Sequence, residues 1–153
     1  NDRYVNDAKI CQAVAANLAR IGVRIQLQAE AKVTYFPKIL RRQTSLYLLG
    51  WTPGTYDAHD VLSALLATPD DQGQGQFNLG SYSNARVDAL TAAVQSETDP
   101  ARRHLLIREA LDLHAKDIGH IPLHQQALAW GMKKNIELVQ PPDNMMPFKW
   151  VVV

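Results

Sequence analysis

This sequence predicts an α/β domain, with a mixed sheet built on a parallel core and flanked by helices. Three observations carry that expectation. Ser45-Leu46-Tyr47-Leu48-Leu49-Gly50 is a short apolar run without polar alternation, the pattern of a strand buried on both faces. Val23-Arg24-Ile25-Gln26-Leu27-Gln28-Ala29 alternates, as a strand with one wetter face does. Helical patterns precede each of them, and two strands joined by a helix of this length form a right-handed parallel unit.

Taken in order, the first helix is expected from about Asn6 to Arg20. Asn6 or Asp7 caps it, Ile10, Val14, Leu18 and Ile21 mark its inner face, and Gly22 ends it. Cys11 near that face reads as a small buried hydrophobe, because no cation or histidine is placed to activate a thiol. Thr34 is the expected cap of a second helix, with Pro37 in its first turn and Phe36, Ile39 and Leu40 inward. The 45–50 run follows, and Gly50, Pro53 and Gly54 turn the chain out of it. Asp57 then stands at the cap of a helix carrying Val61, Leu62, Leu65 and Leu66, which Pro69 stops.

The stretch from Asp70 to Gly80 is rich in glycine but lacks the lysine and hydroxyl residue of a phosphate-binding loop. It reads as a flexible surface loop anchored at Phe77 and Asn78. Ser83 is the expected cap of a helix with Val87, Leu90 and Val94 inside. Asp99-Pro100 opens the next helix in cap-then-proline order, with Leu106, Ala110, Leu113 and Asp117 on one side and Gly119 as its stop. Strands are expected near 120–132 and 146–152, the last roughly ten residues forming a crossover strand.

Composition narrows the function classes. The chain has 153 residues, 46% hydrophobic and 20% charged, as in an ordinary globular domain. Sixteen basic residues against fifteen acidic leave no excess to hold a polyanion, so nucleic acid is not an expected partner. The single cysteine excludes an internal disulfide. Asn1-Asp2-Arg3-Tyr4 is neither a signal peptide nor a start methionine, so the chain reads as a piece of something longer.

In an open α/β sheet, ligands bind at the loop leaving the carboxyl end of a central strand. That makes Trp51, Thr52, Gly54, Tyr56 and Asp57 the candidate ligand-binding residues. His59, His104, His114, His120 and His124 lack the paired spacing of a zinc motif, and neither a metal nor another cofactor is expected. No Gly-x-Ser-x-Gly elbow occurs. Asp57 and Asp60 share a helix face, which suits the positive end of a helix as readily as an acid–base pair.

Several pieces, in order, resemble the C-terminal lobe of the extracytoplasmic solute-binding proteins of bacterial ABC importers, in the peptide/nickel family. They are Asn1-Asp2-Arg3-Tyr4 with Ala19-Arg20-Ile21-Gly22-Val23, then Tyr47-Leu48-Leu49-Gly50-Trp51, then Phe77-Asn78 with Tyr82-Ser83-Asn84-Ala85-Arg86-Val87-Asp88-Ala89-Leu90. Asp99 with Arg102-Arg103, and Asp117-Ile118-Gly119-His120-Ile121-Pro122-Leu123-His124, complete the set. The resemblance implies a periplasmic-binding-protein-like lobe over residues 1–153, part of a two-lobed protein. It also implies a small-molecule solute such as a peptide, the N-terminal lobe of the same chain and a membrane ABC permease as partners. The implied place is periplasmic or otherwise extracytoplasmic, with a lipid anchor as an option, and no catalysis is implied. Peptide binders of this family commonly carry an acid three residues beyond the tryptophan, where Gly54 stands here. They also carry an acid followed by proline six residues beyond it, where Asp57 is followed by Ala58. Two other classes fit the same residues: a ligand-sensing lobe of an intracellular regulator, and a small enzyme with a site around Asp57, His59 and Asp60.

Overall fold

The computed structural model describes residues 3–141 and 143–153. Five α-helices occur among them: α1 (Asp7–Ala19), α2 (Lys32–Leu40), α3 (Ala58–Val61), α4 (Ala85–Ser96) and α5 (Pro100–Asp117). A π-helical turn, Leu62–Leu66, continues α3, and Phe148–Trp150 forms one 3-10 turn.

The mixed sheet with a parallel core is not found. Among the described residues there is no β-strand, and the one isolated bridge, Glu137 with Val152, is antiparallel. Segments 23–30, 45–53 and 120–132 run without regular structure, and Phe148–Trp150 lies where a strand was expected. The physical reason is that a strand needs a neighbour whose backbone pairs with it about 4.8 Å away. Apolar patterning shows which residues avoid water, but not whether another segment lies alongside. The 45–50 run is held by side chains instead. The Tyr35 hydroxyl donates to Leu48 O at 2.7 Å and the Tyr4 hydroxyl to Gly50 O at 3.4 Å. Leu46 is left 61% exposed.

The core is helical. Leu62, Leu66, Val87, Leu90, Val94 and Ala110 form one buried cluster, with Val61, Leu65, Tyr82, Leu106, Ile107 and Leu113 packed around it. These side chains recur every three or four residues along α3–π, α4 and α5, so each helix turns one apolar stripe inward. Caps set the boundaries. Asp57 accepts from His59 N, and Asp99 from Arg102 N with Pro100 following, as the sequence predicts. Asn84, not Ser83, caps α4, accepting from the backbone of Arg86 and Val87. At the other end, α5 stops at Ile118 in the left-handed region, φ 54°, one residue before Gly119.

The first two helices depart further from expectation. No residue of α1 is buried, and Ile21 is 75% exposed. Asn6 adopts a left-handed conformation without a side-chain cap, while the Asp7 carboxylate accepts from the backbone of Arg3, Tyr4 and Ala8. Helix α2 begins at Lys32, so Thr34 and Pro37 both lie inside it. Ile39 is buried, whereas Leu40 is half exposed. The Lys38 ammonium ties α2 to the preceding segment through Glu30, at 2.8 Å, and Gln28.

The glycine-rich loop folds back onto the π turn. Gly75 N donates to Ser63 O at 2.7 Å and Phe77 N to Ala64 O at 2.9 Å. Only glycine fits at 75: φ is +61°, and a Cβ would lie 2.5 Å from Ala67 O. Asn78, fully buried, donates to Ala67 O and Tyr82 O and accepts from Tyr82 N. Its one amide group thereby satisfies three backbone groups where the loop enters the core.

Candidate functional site

The loop from Trp51 to Asp57 leads directly into α3, which packs against α4. The α4–α5 hairpin then brings α5 to the same place, so loop residues meet side chains from two distant helices. The result is a polar cavity of about 320 Å³ lined by Thr55, Asp57, His59, Asp60, Gln95 and Arg103.

Of the five residues named from the sequence, Asp57 lines this cavity. Its Oδ1 caps α3 through His59 N at 2.8 Å and also accepts from Arg103 Nη2 at 2.8 Å. The Arg103 guanidinium beside it, helped by the His59 backbone N–H, holds the Asp57 carboxyl below the usual carboxylate range. Trp51 stands one step behind the cavity wall. Its indole packs on Phe77 with ring centres 4.8 Å apart, and its Nε1 donates to Asp60 Oδ2 at 3.0 Å. Tyr56 points elsewhere. It is exposed, with φ 59°, and its hydroxyl accepts from Asp143 N at 2.9 Å. Thr52 and Gly54 are exposed and do not line the cavity.

Thr55, Gln95 and Arg103 are the lining residues that sequence reading missed. Arg103 also donates through Nε to Val94 O at 3.1 Å, clasping the end of α4 to the cap of α3. A signal for it exists in the sequence. Arg103, Ile107, Ala110 and His114 recur at helical spacing, so the arginine sits on the same face of α5 as the core. A cation on a core-facing stripe needs an anion or carbonyl partner, and here it has both.

The His59 Nε2 atom is buried with no hydrogen-bond partner, and Asp60 stands beside it with its second oxygen unclaimed by the indole. Charges on the lining are two carboxylates and one guanidinium, so one negative charge exceeds the Asp57–Arg103 pair. The cavity can therefore take a polar group that donates hydrogen bonds. Among the described residues no group of three or more metal-ligating side chains converges, and no helix is long and apolar enough to cross a membrane.

With this geometry in view, the comparisons take their place. The chain resembles glutathione-binding proteins. It is 29% identical over 133 residues to the glutathione-binding protein GsiB of Salmonella typhimurium, a match covering 84% of this chain and 26% of that protein. The same identity and coverage hold for GsiB of Salmonella choleraesuis and of Salmonella typhi. The chain thus spans about a quarter of the length of the curated relatives it matches. No family model matches the chain, and no solved structure does.

Proposed function

We propose that this chain is the C-terminal part of a solute-binding protein serving an ABC importer, and that the cavity beside Asp57 and Arg103 forms part of its solute site. The carrying observation is the match to glutathione-binding proteins along 84% of the chain. Those relatives are named as binding proteins, which favours capture over catalysis. In this reading the solute is peptide-like, its remaining contacts come from an N-terminal lobe of the same polypeptide, and a membrane permease receives it. Such a protein works outside the cytoplasm.

Exposed surface supports the reading. The chain exposes 11,221 Å² at 17.1 kDa, against roughly 7,800 Å² for a compact monomer of that mass. Leu46, Ile121, Leu123, Met145, Phe148 and Trp150 are among the large apolar side chains left in water. Permanent interfaces bury about 2,000–5,000 Å² counted over both partners, so this one-chain surplus is more than one such interface needs.

Calorimetry tests the proposal. A longer polypeptide containing residues 1–153 should bind glutathione or short peptides, and Arg103→Ala should weaken that binding by disturbing the Asp57 cap. Residues 1–153 alone should bind none of them tightly, since losing about 4 kcal/mol of contact weakens binding on the order of a thousandfold. Submicromolar binding by the isolated chain, or no peptide binding by the longer one, would overturn it.

A further inference from the structure

At the far end of α5 a second cluster of titratable groups plays no part in the cavity. Helix α5 ends at Asp117, and Ile118 and Gly119 reverse the chain so that His120 falls back on His114. The two imidazoles stack, with centroids 5.1 Å apart and planes 29° apart, and His114 Nε2 lies 2.9 Å from His120 Nδ1. Gly119 makes the reversal possible. A Cβ there would come within 2.6 Å of His114 Nε2 and 2.7 Å of the Tyr82 ring. The Tyr82 ring packs edge-on against His114, its hydroxyl donates to Asp117 Oδ2 at 2.7 Å, and Asn84 donates to the same oxygen at 2.7 Å.

Beyond His120 the chain runs as an irregular segment to α1. There Leu123, His124, Gln125, Gln126 and Ala127 form one wall of an apolar groove whose other wall is α1 with Val5 and Asn6. Val5 N donates to Gln126 Oε1 at 3.2 Å. The histidine pair is a side-chain tie between α5 and the start of the segment that follows it.

We propose that the His114–His120 contact is a pH-operated latch that holds the start of segment 120–127 against the end of α5 at neutral pH and releases it on acidification. Of the two facing nitrogens, one must carry the hydrogen and the other the lone pair. The first proton leaves a charge-assisted N–H···N bond, because the neutral ring can turn its lone pair to the facing nitrogen. A second proton sets two N–H groups against each other and places like charges in stacked rings. The direction is supported by the surroundings. Burial, and then the charge of His120, push His114 below its ordinary 6.5, and burial does the same to His120. A group depressed on folding contributes stability that is full above its unfolded value and lost as pH falls through the folded one. The release window therefore lies below 6.5. The other titratable groups facing the pair keep their charge state there. Hydrogen bonds from Tyr82 and Asn84 hold the Asp117 carboxyl low, and burial pushes the Tyr82 phenol up to about 12. Asp117 favours a charge on His114, but as a lesser influence than burial.

Hydrogen–deuterium exchange on the whole chain tests the latch, with rates corrected for the intrinsic effect of pH. Residues 118–128 should exchange severalfold faster near pH 5 than near pH 7.5. Amides of 85–110 should keep their protection, and His120→Phe, which stacks but cannot be protonated, should abolish the pH dependence. Equal protection of 118–128 at both pH values would overturn the latch. So would an equal loss across 85–110, which is global acid unfolding, or an undiminished acid response in His120→Phe. Histidine titration by NMR on the unmodified chain gives a readout that survives if the variant misfolds. Both imidazoles should titrate below 6.5, and values at or above it contradict the proposal.

Discussion

Residues 58–117 and the segments on either side of them are equally apolar in pattern, yet they end in opposite states. Leu62, Val87, Leu90 and Val94 are fully buried at 1% exposure or less, whereas Leu46, Ile121 and Leu123 remain 61%, 63% and 46% exposed. The difference lies in how far along the chain each side chain must reach for a partner. Helices α3, α4 and α5 are consecutive. A short turn joins α4 and α5, and the loop between Leu66 and Ala85 folds back onto the π turn, so their stripes meet within one local unit. An extended segment satisfies no backbone group of its own and depends on a neighbour distant in sequence. Among the described residues, segments 23–30 and 45–53 are held by scattered contacts, such as Val23 N on Leu18 O and the Tyr35 and Tyr4 hydroxyls on Leu48 O and Gly50 O.

That contrast can be broken by substitution. Leu90→Ala should destabilise the chain by about 2–5 kcal/mol, while Leu46→Ala should cost roughly 0.5 kcal/mol or less. Chemical denaturation of the two variants measures both, and comparable losses would show that the two regions are not different in kind. Next in size is Asn78→Ala. It strips partners from three backbone groups at the entry to the core; the bond to Ala67 O is the buried one, and leaving that carbonyl unpaired costs about 1–3 kcal/mol. Thermal melting should show the loss, and an unchanged melting temperature would mean that the loop is not part of the helical block.

The ties between the regions are weaker. Tyr35→Phe removes the hydroxyl that holds Leu48 and should cost about 0.5–1.5 kcal/mol. Burial also pushes the Tyr35 phenol from 10.0 up to about 12. Its folded value is raised, so its contribution is present below 10.0 and lost as pH rises through about 12. Alkaline melting curves of Tyr35→Phe should accordingly be flatter over that range than those of the unmodified chain. The smallest effect belongs to Asp57→Asn, which keeps the cap and drops the charge opposite Arg103. With Asp57 39% exposed, solvent screening limits the ion pair to about 0.2–1 kcal/mol. The Asp57 carboxyl is lowered on folding, so this contribution is present above 3.8 and lost as pH falls through its folded value. The acid limb of a stability–pH curve should flatten in the variant. A steep, unchanged limb would assign the acid sensitivity to other groups.

What the sequence by itself determined is everything that acts within a few residues. The Asp57 and Asp99 caps, the inward stripe of Val87, Leu90 and Val94, and the anchoring by Phe77 and Asn78 were all legible, because capping and helical periodicity are local physics. The likeness to solute-binding proteins was legible as well, in the order of short motifs. Tertiary structure alone decided the rest. It placed Arg103 against Asp57 across 46 residues and seated Trp51 behind Asp60 rather than in the open cavity. Tyr56 went to Asp143, and among the described residues the expected strands form no ladder beyond the single Glu137–Val152 bridge. An apolar run states only that its residues avoid water. Whether it becomes a strand depends on another backbone lying alongside, and periodicity carries no information about that neighbour.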